Sequence, residues 1–151
     1  PVASAAWILA DAARHTTVPA TTATVTFGRD VYPITRPGAT PKSVTEFTAT
    51  AGRHHVDTAI NALDAALGLS RADAARLLVI VSDGQFEDDR YRAGQKLLDR
   101  LRATGCAVLW LAPDKPGCRP MNGATVHTLT DPATTARVIG KAATAALRAT
   151  T

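Results

Sequence analysis

The apolar positions of this chain follow two different spacings, which predict helices in some segments and strands in others. Spacings of three and four residues indicate amphipathic helices, whereas alternating or continuous apolar runs indicate strands. The runs 75–81 and 106–111 are nearly continuous, which is typical of strands buried on both faces of a parallel sheet. The predicted helices are 1–15, 57–67, 90–104 and 134–148, and the predicted strands are 22–27, 31–34, 75–81, 106–111 and 125–129.

Helices and strands alternate along most of the chain, and this order predicts an α/β fold. The sheet is expected to be mostly parallel, with helices on both faces. Pro33 restricts the segment 31–34 to a sheet edge, because proline has no N–H to donate to a strand ladder. Gly105 is typical of a helix end, and Asp131 followed by Pro132 is typical of a helix start.

Composition narrows the class of protein. The chain has 151 residues, of which 46% are hydrophobic and 20% charged, so residues 1–151 are expected to form a single domain. The longest apolar run, Leu77–Val81, is far shorter than the roughly 20 residues of a membrane span. The net charge of +4 is spread along the chain without basic clusters, which argues against nucleic-acid binding.

The two cysteines give a weak indication of location. Cys106 and Cys118 are too few for a secreted disulfide framework, and no signal segment is visible at the start of the sequence. Reduced thiols in the cytoplasm are therefore expected. Cys118 follows Lys115 and precedes Arg119, which could activate its thiol, although an exposed bystander is the simpler interpretation.

The first candidate site follows the strand predicted at 75–81. Ligands of open parallel sheets bind at the carboxyl ends of the strands, and Asp83 stands directly at this end. An aspartate there could serve Mg²⁺ directly or through water. The alternative is structural, because Asp83-Gly84 is common turn chemistry and the acidic run 87–89 suits the start of a helix.

The second candidate segment precedes the helix at 57–67. His54 and His55 lie close to Asp57 and suggest a transition-metal site. Zinc needs three or four converging ligands, however, and adjacent side chains point apart. The competing interpretation is that Asp57 or Thr58 caps the helix.

Within residues 51–112, a turn containing glycine introduces a helix, which is followed by Leu-Leu-Val-Ile-Val-Ser-Asp-Gly, an amphipathic helix, and Gly-Cys-Ala-Val-Leu-Trp-Leu-Ala. This combination resembles a von Willebrand factor A-type domain. The order of elements matches over essentially the whole chain, and Val81–Gly84 is the close motif match. The resemblance implies a three-layer α/β/α Rossmann-like fold.

The resemblance also implies a metal-ion-dependent adhesion site built from three loops. Asp83 matches the aspartate of the third loop. Val56 falls where the second loop has threonine, and a shift of two residues would let Thr58 serve instead. The Asp-x-Ser-x-Ser of the first loop is absent from the sequence. A Mg²⁺ or Mn²⁺ site on Asp83 and Thr58 is therefore expected to be partial and to require residues upstream of Pro1.

The resemblance also implies a central first strand that this sequence does not show. The family places this strand before the first helix, but here the helical pattern begins at residue 1. Leaving its neighbours unpaired would cost many hydrogen bonds of roughly 1 kcal/mol each. The chain is therefore expected to be an N-terminally incomplete part of the domain, with the strand supplied upstream or by another chain.

These observations favour a protein–protein interaction module without enzymatic activity. The resemblance implies a protein partner, such as an AAA-type ATPase, bound through the loops at the strand ends. The residues expected on the partner-binding face are His55, Asp57, Ser82, Gly84 and Glu87.

Two alternatives remain open. Val56 at the threonine position favours an assembly domain with a dead metal site, because an apolar side chain cannot bind a hard ion. A Mg²⁺-dependent hydrolase would use Asp83 with Glu87 or Asp89, and it needs a second carboxylate at a neighbouring strand end. The candidates for that second carboxylate are Asp114 and Asp131.

Overall fold

A computed structural model describes residues 24–27, 31–35 and 55–149. The helix predicted at 1–15 and the residue His54 lie outside this part of the chain. The elements, in order, are β1 Thr24–Phe27, β2 Val31–Thr35, α1 Val56–Leu67, β3 Leu77–Val81, α2 Asp88–Ala103, β4 Ala107–Ala112, β5 Thr125–Thr128 and α3 Pro132–Ala149. Each corresponds to a predicted element, with ends that move by one or two residues.

The three later strands form a parallel sheet in the order β3–β4–β5, with β4 in the centre. Leu77 lies beside Ala107 and Val81 beside Leu111, so β3 and β4 run in register over the whole length of β3. The predicted α/β class and parallel sheet are confirmed. The structure differs in one respect, because β1 and β2 form a separate antiparallel pair instead of joining this sheet.

The parallel sheet carries apolar side chains on both faces. Along β4, Trp110 belongs to a cluster with Val56 of α1 and Leu98 of α2. The neighbouring Leu109 and Leu111 belong to a second cluster with Ile139 of α3. This alternation follows from the period of two along a strand, and it explains why β3 and β4 have continuous apolar sequences. Among the described helices, none is long and apolar enough to cross a membrane.

The helix boundaries follow the local chemistry only in part. Asp131 accepts hydrogen bonds from the N–H of Thr134 at 2.9 Å and from its hydroxyl at 2.7 Å, as predicted for a helix start. The prediction that Asp57 or Thr58 caps α1 is wrong. His55 occupies the N-cap position and makes no side-chain capping bond, and the side chain of Asp57 contacts Arg90 of α2 instead.

A glycine lets three elements pack closely on the inner side of α2. A Cβ atom at Gly94 would lie 2.6 Å from Cε of Met121 and 3.0 Å from Cγ1 of Val56. Both neighbours are almost fully buried, at 2% and 1% exposure. The missing side chain of Gly94 therefore makes room for Val56 of α1 and for Met121, which follows β4.

A buried arginine closes the core at the amino-terminal end of β3. Arg76 is only 7% exposed. Its guanidinium donates to the carbonyls of Leu69 at 2.8 Å and Ala74 at 2.9 Å, and to the hydroxyl of Thr104 at 2.7 Å. It also donates to the Thr104 carbonyl at 2.5 Å. One side chain thus joins the segment before β3 to the end of α2.

We expect Arg76→Ala to lower the free energy of unfolding by about 2–4 kcal/mol, because it removes four hydrogen bonds of a buried guanidinium and leaves the buried Leu69 carbonyl without its donor. Urea denaturation measures this loss. Arg100→Ala removes an exposed arginine from α2 and should change stability by no more than about 0.5 kcal/mol. Equal losses in the two variants would contradict the role assigned to Arg76.

Candidate functional site

The candidate site lies at the carboxyl-terminal edge of the sheet, where the chain leaves β3. The N–H of Ser82 donates to the carbonyl of Leu111 at 3.2 Å, which continues the β3–β4 ladder by one residue. The indole N–H of Trp110, on the neighbouring strand β4, donates to the carbonyl of Ser82 at 2.8 Å. Trp110 has no exposed surface, so the start of the loop is held by the core itself.

The next residues form a tight turn. Ser82 Oγ accepts the N–H of Gly84 at 3.1 Å, and Asp83 Oδ1 accepts the N–H of Gln85 at 3.0 Å. The ring of Phe86 then packs back against Trp110, with a centroid distance of 6.1 Å and an angle of 58° between the rings. Both ends of the turn Ser82–Phe86 are thus anchored on the same tryptophan.

Gly84 is required by this geometry. Its φ of +75° lies in the region that side chains rarely adopt. A Cβ atom there would also overlap the backbone carbonyl of Arg119. The turn interpretation of Asp83-Gly84 is therefore confirmed, and the turn lies directly against a second loop.

This second loop, residues 113–121, follows β4 and docks on the turn. The N–H of Arg119 donates to the carbonyl of Asp83 at 2.7 Å. The side-chain amide of Gln85 donates to the carbonyl of Gly117. We call the two segments, residues 82–87 and 113–121, the tip loops, because these contacts join them into one unit.

A cation of the protein itself already contacts Asp83. The ammonium of Lys115 lies 2.5 Å from Asp83 Oδ2. The hydrogen bond and the charge of Asp83 raise the pKa of Lys115 above the usual lysine value. The Asp83 side chain is 29% exposed and that of Lys115 is 53% exposed, so the pair lies at the surface.

The ion pair with Lys115 makes Asp83 a poor ligand for a divalent metal. One carboxylate oxygen accepts a backbone N–H and the other contacts an ammonium, so an ion would have to displace Lys115. Within the described residues, no three histidine, cysteine, aspartate or glutamate side chains form a group that could hold a metal. The described donors therefore do not fit a complete Mg²⁺ or Mn²⁺ site.

The start of α1 contributes a second ion pair. Asp57 Oδ2 lies 3.0 Å from Nη1 of Arg90 in the first turn of α2, and the side chains are 17% and 27% exposed. The other oxygen, Asp57 Oδ1, is buried and finds no hydrogen-bond partner among the described residues. Thr58 is exposed on the same turn. Of the two candidates in α1, it is Asp57 that is committed to a contact with α2.

Other charged and aromatic groups surround the tip loops. Arg119 lies 3.6 Å from the carboxylate of Asp88, and its guanidinium lies 4.5 Å from the ring centre of Tyr91. The Tyr91 hydroxyl donates to the carbonyl of Pro120 at 3.1 Å. Glu87, the N-cap of α2, is exposed beside them.

The carboxylates that a hydrolase would need are placed differently. Asp131 accepts two hydrogen bonds from Thr134, and the backbone bond above all lowers the pKa of Asp131. Asp114 is exposed on the second tip loop. Two open grooves are found on the described surface, beside Gly68 and Arg71 and beside Lys141 and Arg148, and neither includes Asp83.

Sequence reasoning missed the residues that organise this edge. Lys115 and Arg119 were considered only as neighbours of Cys118, whose thiol instead donates to the carbonyls of Pro113 at 3.4 Å and Lys115 at 3.3 Å. Nothing in the sequence singles out Arg90 as the partner of Asp57. The charges of Lys115 and Arg119 are the signal that could have found them. These residues follow β4 as Asp83 follows β3, and the carboxyl ends of neighbouring parallel strands lie at the same edge of a sheet.

No protein-family model matches the chain, and no curated protein matches it either.

We expect Gly84→Ala to destabilise the protein by about 1–3 kcal/mol, because alanine is strained at positive φ and its methyl group would overlap the Arg119 carbonyl. Gly140→Ala is the matched control. Gly140 lies in α3 with no heavy atom within 4 Å of the added Cβ, so this change should be stabilising by about 0.5–1 kcal/mol. Thermal or urea unfolding compares them, and stabilisation by both changes would refute the contact between the tip loops.

The ion pair of Asp83 with Lys115 predicts that its contribution to stability depends on pH. Because the folded state raises the pKa of Lys115, the pair contributes fully below the usual lysine pKa, and its contribution is lost as pH rises through the raised value. Asp83→Asn should therefore lower the pKa of Lys115, measured from the Nζ chemical shift in a titration of the labelled protein. An unchanged titration curve would show that the pair does not form in solution.

Proposed function

We propose that this chain is a protein–protein interaction module of the von Willebrand factor A type, which binds its partner through the tip loops. The match of Val81–Gly84 to the family motif supports the assignment, since this segment stands at the end of a buried parallel strand. The two apolar clusters support a three-layer α/β/α Rossmann-like arrangement, because α1 and α2 belong to one cluster and α3 to the other.

One observation carries the proposal: the tip loops present charged groups on a fixed frame. Trp110 and Gly84 hold the backbone from inside, while Lys115 and Arg119 remain about half exposed outside. Such preorganised, partly exposed charges favour recognition of another protein, since little ordering is needed on binding. An open surface of this kind suits a protein better than a small substrate, which usually binds in a concave pocket.

Lys115 favours binding that does not depend on a metal. In the family site, a divalent ion supplies positive charge beside the aspartate of the third loop. Here the ammonium of Lys115 supplies positive charge beside Asp83. A Mg²⁺ or Mn²⁺ ion would need ligands beyond the described residues and would have to displace this ammonium. The metal-independent form of the module is therefore our proposal.

The partner is proposed to be a protein that offers a carboxylate to Lys115 or Arg119. The resemblance implies an AAA-type ATPase as one class of partner. The same charges would also bind an acidic loop of any assembly protein, so the experiment below identifies the partner without assuming its class.

We expect a photo-crosslinking residue at the position of Glu87 to form a specific adduct with one protein in cells that express the chain. The same residue at the position of Arg71, which is exposed at the other end of α1, is the control. Mass spectrometry identifies the adduct. Equal labelling from both positions would refute binding through the tip loops.

Exchanging the charges separates recognition from folding. The double variant Asp83→Lys with Lys115→Asp restores an ion pair but presents its charges in reverse. It should stay folded, at a cost of about 1 kcal/mol for the lost bond from the Gln85 N–H to Asp83 Oδ1, and lose the adduct. Chelation with EDTA should leave the wild-type adduct intact. Loss of the adduct with EDTA and its return with Mg²⁺ would overturn the metal-independent form.

A further inference from the structure

The solvent-facing side of α2 carries a line of positive charges. Arg92, Lys96 and Arg100 are all exposed and stand at every fourth position of the helix. Side chains four residues apart lie on one face of a helix, about 6 Å from each other along its axis. The three charges therefore form a line roughly 12 Å long, which we call the basic row. In the sequence these residues are separated, and the helix aligns them.

The acidic side chains closest to the basic row are engaged elsewhere. Asp88 lies 3.6 Å from Arg119 of the second tip loop. Asp99 accepts the side-chain amide of Gln95 at 2.9 Å and lies 3.9 Å from Arg102. Within the described residues, the side chains of the basic row form no hydrogen bond and no ion pair. The charges of the row are therefore left uncompensated on the surface.

The spacing of the basic row opposes the usual pattern of an exposed helix. Opposite charges four residues apart stabilise a helix, and like charges at the same distance destabilise it by a similar amount. The row contains two such repulsive pairs, Arg92 with Lys96 and Lys96 with Arg100. The row therefore adds no stability to the chain alone, and a matching row of negative charges would relieve its repulsion.

We propose that the basic row binds an acidic helix of a partner protein, with carboxylates at every fourth position. Such a helix repeats its charges at the same interval of about 6 Å, so three carboxylates can meet three cations at once. Charge complementarity of this kind fixes the register of an interface and speeds association. The basic row is a second interaction surface, and it does not rest on the binding proposed for the tip loops.

The sequence of the chain itself offers no matching row. Its 151 residues contain no three acidic residues at every fourth position. Outside the described ranges the acidic residues are Asp11, Asp30 and Glu46, each far from the next. The acidic run 87–89 is consecutive, and consecutive side chains on a helix point in different directions. Charge complementarity therefore favours a separate protein over a segment of this sequence or a second copy.

The surroundings of the basic row favour a protein over a membrane or a nucleic acid. Helices that bind a membrane surface insert apolar side chains, but the exposed large hydrophobic residue of the described chain is Val126, on β5. The exposed carboxylates of Asp89 and Asp99 flank the row at its two ends. They would repel a continuous phosphate backbone, which binds through an extended positive surface. A helix can place its carboxylates at the row alone.

An NMR titration of the labelled full chain tests the proposal. The probe is an alanine-rich peptide of about 20 residues, long enough to form a helix in water, with three glutamates at every fourth position. We expect saturable shifts at Arg92, Lys96 and Arg100. The matched peptide has the same composition with its glutamates at every second position, which spreads them around the helix, and it should bind more weakly. Equal or tighter binding of the matched peptide would overturn the helical form of the partner.

Two triple variants separate the row from net charge. The row variant, Arg92→Gln with Lys96→Gln and Arg100→Gln, should bind the first peptide about tenfold more weakly. The control variant, Arg71→Gln with Arg137→Gln and Lys141→Gln, also removes two exposed arginines and one exposed lysine, and it should bind as the wild type does. Equal weakening in both variants would overturn the proposal.

The remaining outcomes concern other roles of the row. The melting temperature of the row variant should equal or exceed that of the wild type, since repulsion is removed. A lower melting temperature would assign the row to folding and overturn the proposal. Absence of shifts at the row with the first peptide would do so too, as would tighter binding of a duplex oligonucleotide at the same residues. Self-association of the chain that the row variant abolishes would overturn it in favour of a second copy. None of these changes touches the tip loops, so the outcome does not depend on the function proposed for them.

Discussion

The hydrogen bond from the Trp110 indole to the Ser82 carbonyl is the contact on which the candidate site depends. It joins the side chain of the central strand to the backbone of its neighbour at the point where the chain leaves the sheet. Trp110 is completely buried, so its ring cannot move without disturbing the core on that face. The start of this surface loop is therefore anchored to the core of the sheet.

The other contacts at this edge of the sheet follow outward from the Trp110–Ser82 hydrogen bond. The turn after Ser82 is closed by its own side chains, and the loop 113–121 is then docked through the backbone of Asp83 and Arg119. The ion pair of Asp83 with Lys115 lies outermost, where solvent screens it. An exposed pair of this kind contributes little to stability.

The sequence predicts the secondary structure well and the site only in part. Continuous apolar runs identify β3 and β4, and Asp131 with Pro132 identifies the start of α3, because these are local effects of burial and capping. Asp83 was placed at the strand end for the same reason. Its partner Lys115 lies 32 residues later, and a loop rich in proline and glycine gives no periodic signal for where its side chains turn. The start of α1 shows a further limit, since His55 stands at the N-cap without a capping bond while Asp57 contacts α2, and capping chemistry predicts neither.

The absent side chain of Gly94 brings the start of α1 into contact with the end of the second tip loop. Val56 at the start of α1 and Met121 at the end of the second tip loop meet over this glycine in a close-packed contact. Protein interiors are close-packed, so a displacement of Val56 cannot be absorbed at this contact alone. Any shift of α1 must therefore move Met121 and the loop that carries it. A substitution at Val56 or at Met121 therefore acts on the other residue as well, and the start of α1 cannot be repacked independently of the second tip loop.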